Sequence, residues 1–261
     1  MYIKILALIS LFFIGCKTTD SLKNKQGNYL ETVQINFNAG QEAFNDKNYE
    51  KAMEYYQFVK SNYPFSKYAA LSDLRIADAK FAQEKWLEAA VAYEIFIRLH
   101  PRHNDVHYAY YKVGICYFNA IPKDNFFYPK AITKDQTPTY KAIESFELFL
   151  QLNLSNPWTD EIKEKLIKAM FYIAEHEKNI ADFYKKVSNY QAAAKQYEEV
   201  AAKYPTIQKQ AECLYQAAVI YEKKLKDLAK AQEIYQSLLS YEKNDYTDLA
   251  TKALTRISER I

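Results

Sequence analysis

From about residue 30 onward, small, aromatic and proline positions recur along the chain on one spacing. A small residue is followed about twelve positions later by an alanine, four positions after that by an aromatic, and eight further on by a proline. Gly40, Ala52, Tyr56 and Pro64 fit this without a gap, and so do Ala77, Ala89, Tyr93 and Pro101, and again Ala181, Ala193, Tyr197 and Pro205. Gly114 opens another unit whose second half carries Ala142 and Phe146, with a long insertion between them. A last unit has Ala218, Ala231 and Tyr235, with one extra loop residue and no closing proline. Residues four apart lie on one face of a helix, and a proline ends the helix before it. The pattern therefore predicts pairs of antiparallel helices. The small residue and the alanine let the two helices approach, and the aromatic fills the gap toward the next pair. Each pair leaves one apolar face unburied, so the pairs must stack. Between these positions lysines alternate with glutamates, as on solvated helix faces.

Composition agrees. Four glycines and seven prolines in 261 residues are too few for a turn-rich β fold. The common residues Ala, Leu, Lys, Glu and Gln are good helix formers, and 24 tyrosines with 15 phenylalanines supply large knobs to set against alanines. The net charge of +3 is nearly balanced, and with no basic stripe nothing marks a nucleic-acid binder. The spacing resembles the tetratricopeptide (TPR) repeat. That resemblance implies an all-α fold, a right-handed superhelical stack of about five TPR hairpins whose first helices line a concave, peptide-binding surface. The units run over about 33–64, 70–101, 107–157, 174–205 and 211–243, with residues 244–261 as a C-terminal capping helix.

The N-terminus reads differently. Met1-Tyr2-Ile3-Lys4 is followed by an apolar run ending Ile14-Gly15-Cys16. That run is too short to span a bilayer as a helix and has the layout of a secretory signal, residues 1–15. Its ending resembles the bacterial lipobox, with Phe13 where leucine is usual, and this makes Cys16 the lipidation site. Acyl chains change "spans the membrane" to "anchored to it". Lys17 follows in place of the aspartate that retains enterobacterial lipoproteins in the inner membrane, which favours the outer membrane. The polar stretch after Cys16, to residue 32, reads as a flexible tether.

Candidate chemistry is sparse. Cys116 and Cys213 lie in apolar helical contexts and read as buried free thiols. His103 and His107 could share a helix face, but no further Cys or Glu completes a metal set; loop-packing or capping roles fit these histidines. No phosphate loop, nucleophile elbow or HExxH is present, so the sequence describes a non-catalytic binding protein with no cofactor and no metal. The insertion, residues 119–138, holds Phe126, Phe127 and Tyr128 in a row. They fold over the helices as a lid or form part of a docking surface.

The junctions and the insertion carry a more specific resemblance. Tyr63-Pro64-Phe65-Ser66-Lys67-Tyr68, then Phe96-Ile97-Arg98-Leu99-His100-Pro101-Arg102-His103, then Tyr110-Tyr111 before Gly114, and the insertion closing Asp135-Gln136-Thr137-Pro138 before Ala142 and Phe146, resemble the BamD family. These are TPR lipoproteins of the outer-membrane β-barrel assembly machinery. Asp182-Phe183-Tyr184, Tyr190 and Lys203-Tyr204-Pro205 extend the resemblance over nearly the whole mature chain. It implies a scaffold on the periplasmic face of the outer membrane. Its partners would be the POTRA domain of a BamA-like barrel protein, other lipoproteins of the machinery, and unfolded outer-membrane proteins. The N-terminal repeats would take substrate, with Tyr63, Pro64, Phe65 and Tyr68 bordering their groove, and the C-terminal repeats would hold BamA. A basic residue of the fourth repeat that contacts BamA in the family is Gln196 here, with Lys195 adjacent. Two other classes of lipoprotein fit the chain less well. A TPR nutrient-capture lipoprotein of the SusD kind is usually about twice as long, and a periplasmic cell-envelope scaffold often carries a coiled coil that this chain lacks.

Overall fold

A computed structural model describes residues 29–122, 134–152, 157–204 and 207–259. Regular structure among them is helical throughout: α1 (Tyr29–Asn45), α2 (Tyr49–Asn62), α3 (Lys67–Ala82), α4 (Trp86–Leu99), α5 (Val106–Asn119), α6 (Thr137–Gln151), α7 (Thr159–Lys186), α8 (Tyr190–Lys203), α9 (Ile207–Ile220), a π-turn (Tyr221–Leu225), α10 (Leu228–Leu238) and α11 (Asp245–Ser258). The chain divides into two compact units at Ser72/Asp73.

In the first unit α1 packs on α2. A methyl group on Gly40 would lie 2.7 Å from the ring of Tyr56, so the small residue is what lets these helices close. Val33, Val59 and Tyr63 form the core, with Phe37, Phe58 and Tyr68 packed on it. Helix α1 begins at Tyr29, inside the stretch assigned to the tether.

The second unit repeats the device. A methyl on Gly114 would meet the Phe146 ring at 2.5 Å. Tyr93, Phe146, Tyr197 and Tyr235 are fully buried beside Ala89, Ala142, Ala193 and Ala231. Two clusters form the core, one from α3 to α7 and one from α7 to α11. Cys116 and Cys213 are buried free thiols, each pushed up to about 12, chiefly by burial.

Two sequence expectations are corrected here. The repeat spacing starts the fourth unit at about residue 174, whereas its first helix α7 runs Thr159–Lys186, 28 residues. Ile162, Ala169, Ile173, Ala174, Glu177 and Ala181 are buried along it. Apart from Glu177 these positions are apolar and continue at helical spacing, with no glycine or proline to stop them. The extra residue of the last unit is not in the loop. In three hairpins a residue seven positions after the small one takes the left-handed conformation that closes the helix: Lys47, Glu84 and Ser188. The next N–H then donates to a carbonyl five residues back, as in Asn48 to Ala43, Lys85 to Lys80 and Asn189 to Tyr184. After Ala218 the left-handed residue is Lys226, eight positions on, and Asp227 N–H reaches six back to Tyr221. The helix absorbs the added residue as a π-turn, which widens the ring by one residue, and the turn that follows is unchanged. Asn48, Asn189 and Asp227 then cap the second helices with their side chains.

Candidate functional site

The string Tyr63-Pro64-Phe65-Ser66 is held as a turn. Tyr63 caps α2, its N–H donating to Val59 C=O at 2.9 Å. The Ser66 N–H and hydroxyl both donate to Tyr63 C=O, at 3.0 and 2.8 Å. Pro64 fixes its own φ. The Tyr63 ring is buried against Phe58 at 6.1 Å, and Tyr68 packs on Phe37 at 5.0 Å. Phe65, between them, is 98% exposed. The hydrogen bonds of the turn order its backbone, while the Phe65 ring stands in solvent. Of the four residues named from sequence here, Tyr63 and Tyr68 build the platform, while Pro64 and Phe65 face solvent.

Lys195 and Gln196 lie mid-way along α8 in the second unit. Lys195 is well exposed and pairs with Glu199 at 3.6 Å, one turn on; Gln196 is half-buried. Phe126 and Phe127 fall outside the described residues.

The second unit also holds what the sequence reading missed. Acids, of which Asp78 and Glu177 are buried and Asp182 is partly exposed, take part in the contacts between neighbouring hairpins. Asp78 accepts from Tyr93 at 2.6 Å and from Arg75 at 2.7 Å within its hairpin, and from Tyr108 of α5 at 2.9 Å. Asp182 accepts from Tyr197 and pairs with Lys178, which reaches Glu212 of α9 at 3.1 Å. Glu177 accepts from Tyr140 of α6 at 2.9 Å, from Tyr204, the cap of α8, at 2.6 Å, and from Lys203 of α8 at 3.0 Å. Burial alone would raise the Glu177 carboxyl, but the hydrogen bonds from Tyr204, Lys203 and Tyr140 outweigh it and hold it below the usual carboxylate range. Burial, then Glu222, pushes the Tyr235 phenol above its ordinary value. The sequence signal for two of these acids was present: Asp78 and Asp182 directly follow the small residues Ala77 and Ala181. Gly114, whose hairpin carries Phe146 with no hydroxyl to satisfy, is followed by Ile115.

His100 and His103 have structural partners, while the buried Nδ1 of His107 has no hydrogen-bond partner among the described residues. His100 Nε2 lies 3.0 Å from Asp73, and His103 Nδ1 accepts from the Asp105 N–H at 3.2 Å. Among the described residues no group of three metal-ligating side chains converges, and no helix is long and apolar enough to cross a membrane.

Residues 31–256 match a family model described as "Outer membrane lipoprotein", YfiO. Proteins named outer membrane protein assembly factor BamD are similar over most of both chains. That of Rickettsia prowazekii is 28% identical over 237 residues, covering 90% of this chain and 88% of its own. That of Neisseria meningitidis serogroup A is 26% identical over 228 residues, covering 84% of each. Among solved structures, the TPR2AB domain of yeast Sti1 in its pHSP90 complex covers 80% of this chain and 77% of its own, with 14% identity and a TM-score of 0.41.

Proposed function

The chain belongs to the YfiO family of outer membrane lipoproteins, and from that premise we propose that it is the TPR scaffold of a β-barrel assembly machinery. Acyl chains on Cys16 hold it to the periplasmic face of the outer membrane. Two or more chains suffice, since each buried methylene adds about 0.8 kcal/mol. It performs no catalysis. It binds the POTRA domain of a BamA-like barrel protein and receives unfolded outer-membrane proteins for insertion.

The observation that carries the receiving role is Phe65, 98% exposed on a turn that Tyr63 and Ser66 hold in place. Strands of unfolded barrel proteins alternate apolar and polar side chains, and a solvated ring on an ordered turn is a surface on which such a strand can lose apolar area. Lys195 and Gln196 on α8, and Phe126 and Phe127 in the insertion, are the further contacts assigned to partners. Lys195 supplies the positive charge that its neighbour Gln196 lacks.

The test is a pulldown of the tagged full chain from solubilised outer membrane, beside its Phe65→Ser variant. The wild type should recover a barrel protein bearing POTRA domains. F65S should keep that partner and its melting temperature, yet lose fivefold or more of its crosslinking to an unfolded outer-membrane protein. Recovery of a glycan transporter or a cell-wall protein in place of the POTRA-bearing partner would sink the assembly reading. Unchanged crosslinking by F65S would remove Phe65 from it.

A further inference from the structure

Most lysines of the last two hairpins are neutralised. Lys178 pairs with Asp182 and Glu212, Lys209 with Glu175 and Glu212, and Lys230 with Glu198 and Glu233. One group is not. Lys185 and Lys186 in the last turn of α7, and Lys223 and Lys224 in the π-turn, surround a cavity of about 360 Å³. All four are exposed, and among the described residues no carboxylate pairs with any of them. The cavity floor is apolar, made by Val219 and the buried Ile220, with Tyr190 as one wall. Lys224 lies 5.2 Å from the centre of the Tyr190 ring, and Lys185 donates to Gln216 at 2.9 Å, so two of the ammonium groups are positioned.

Helix ends attract lysines, but each carries only about half a negative charge, against four full positive charges here. The π-turn (Tyr221–Leu225) supplies half of the group: Lys223 and Lys224 lie in it, just before the left-handed Lys226. Such insertions occur preferentially where a helix does something besides pack.

We propose that this cavity is a docking site for an acidic segment of a partner protein, one with carboxylates flanking an apolar side chain. The carboxylates meet the four lysines and the apolar residue sits on Val219 and Ile220 beside Tyr190. A phosphate group alone would leave the apolar floor unused, and lysines offer point charges without the bidentate fork that arginine brings to phosphate. The site rests on the scaffold reading only to the extent that the chain binds proteins. It lies on different residues from Lys195, Gln196 and Phe65.

The test is phage display of random heptapeptides on the immobilised full-length chain, with the Lys223→Glu, Lys224→Glu double variant as counter-selection. Recovered peptides should carry two or more acidic residues around an aliphatic or aromatic one. They should bind the wild type at least tenfold more tightly than the variant, and weaken as salt rises from 50 to 300 mM, as exposed charge pairs do. Both substitutions lie on exposed side chains, so the variant should melt with the wild type. No acidic enrichment, no recovered peptide, or equal binding to the variant overturns the proposal. So does co-sedimentation with phosphatidylglycerol vesicles that the double variant loses while no acidic peptide is recovered; the cavity would then serve a lipid surface. The POTRA pulldown described above uses neither these residues nor this library, so either reading can fail without the other.

Discussion

Gly114 and Glu177 mark the two kinds of residue that hold this fold. At Gly114 the requirement is steric: any Cβ would meet Phe146 at 2.5 Å, in an interior packed to crystal density. That constraint was readable in advance, because a small residue facing an aromatic at fixed offsets leaves its mark on spacing. Glu177 is a polar requirement and was not readable. Its partners Tyr140, Lys203 and Tyr204 are 26 to 37 residues away, and no periodicity links them. Its folded-state pKa is depressed, so the charged form is bound more tightly in the fold than in the unfolded chain. The stability it contributes is fully present above the unfolded value of about 4.3 and is lost as pH falls through the folded value. Glu177→Gln is therefore expected to cost about 1–3 kcal/mol at pH 7, a gap that narrows as pH drops below about 4.3. Urea titrations of both proteins between pH 3 and 7 measure it. A gap that stays constant across that range would show that the charge of Glu177 does not matter.

Among the elements, the π-turn has the largest consequence. It brings Glu222, 4% exposed, to Tyr235 at 3.0 Å and under the guanidinium of Arg256, which donates three hydrogen bonds of 2.8 to 3.1 Å from α11. Tyr235 thus finds its acid although Val219 stands where Asp78 and Asp182 stand in the earlier hairpins. Arg256→Ala leaves a carboxylate buried with its countercharge gone. It is expected to cost about 3 kcal/mol, the low end for breaking a buried pair, because Arg256 is itself 41% exposed. Arg256→Ala combined with Glu222→Gln should recover part of that loss. Thermal melts of the single and double variants decide it, and equal melting of R256A and wild type would mean the fork does not anchor α11. The insertion was legible as one residue too many, but not as a π-turn, since a single sequence does not show which side of a helix end will take up an added residue.

For the molecule as a whole, stability should behave as in a repeat array, where each hairpin leans chiefly on its neighbours. Helix α11 packs on α10 and α9, with Tyr246 5.8 Å from Tyr215, Ala250, Ala253 and Ile257 buried, and Asn244 and Thr247 closing a capping box at its start. Truncation after Lys243 should raise amide exchange in α9 and α10 by tenfold or more and leave α4 and α5 close to wild type. Exchange that rises equally in all four helices would instead make residues 73–261 a single cooperative block.

The local, periodic features were determined by the chain itself. Helical hairpins follow from small and aromatic residues at offsets of twelve and four, and helix ends follow from Pro64 and Pro101. These signals lie within one hairpin, where covalent spacing decides geometry. The junction strings around Phe65 and Pro101 carried the family likeness in the same way. Folding decided the rest. The length of α7, the acids that tie hairpin to hairpin, the fork between Glu222 and Arg256 and the gathering of Lys185, Lys186, Lys223 and Lys224 all bring together residues that lie far apart in sequence or have no fixed spacing. Burial and hydrogen-bond satisfaction select such pairs only once the helices have stacked.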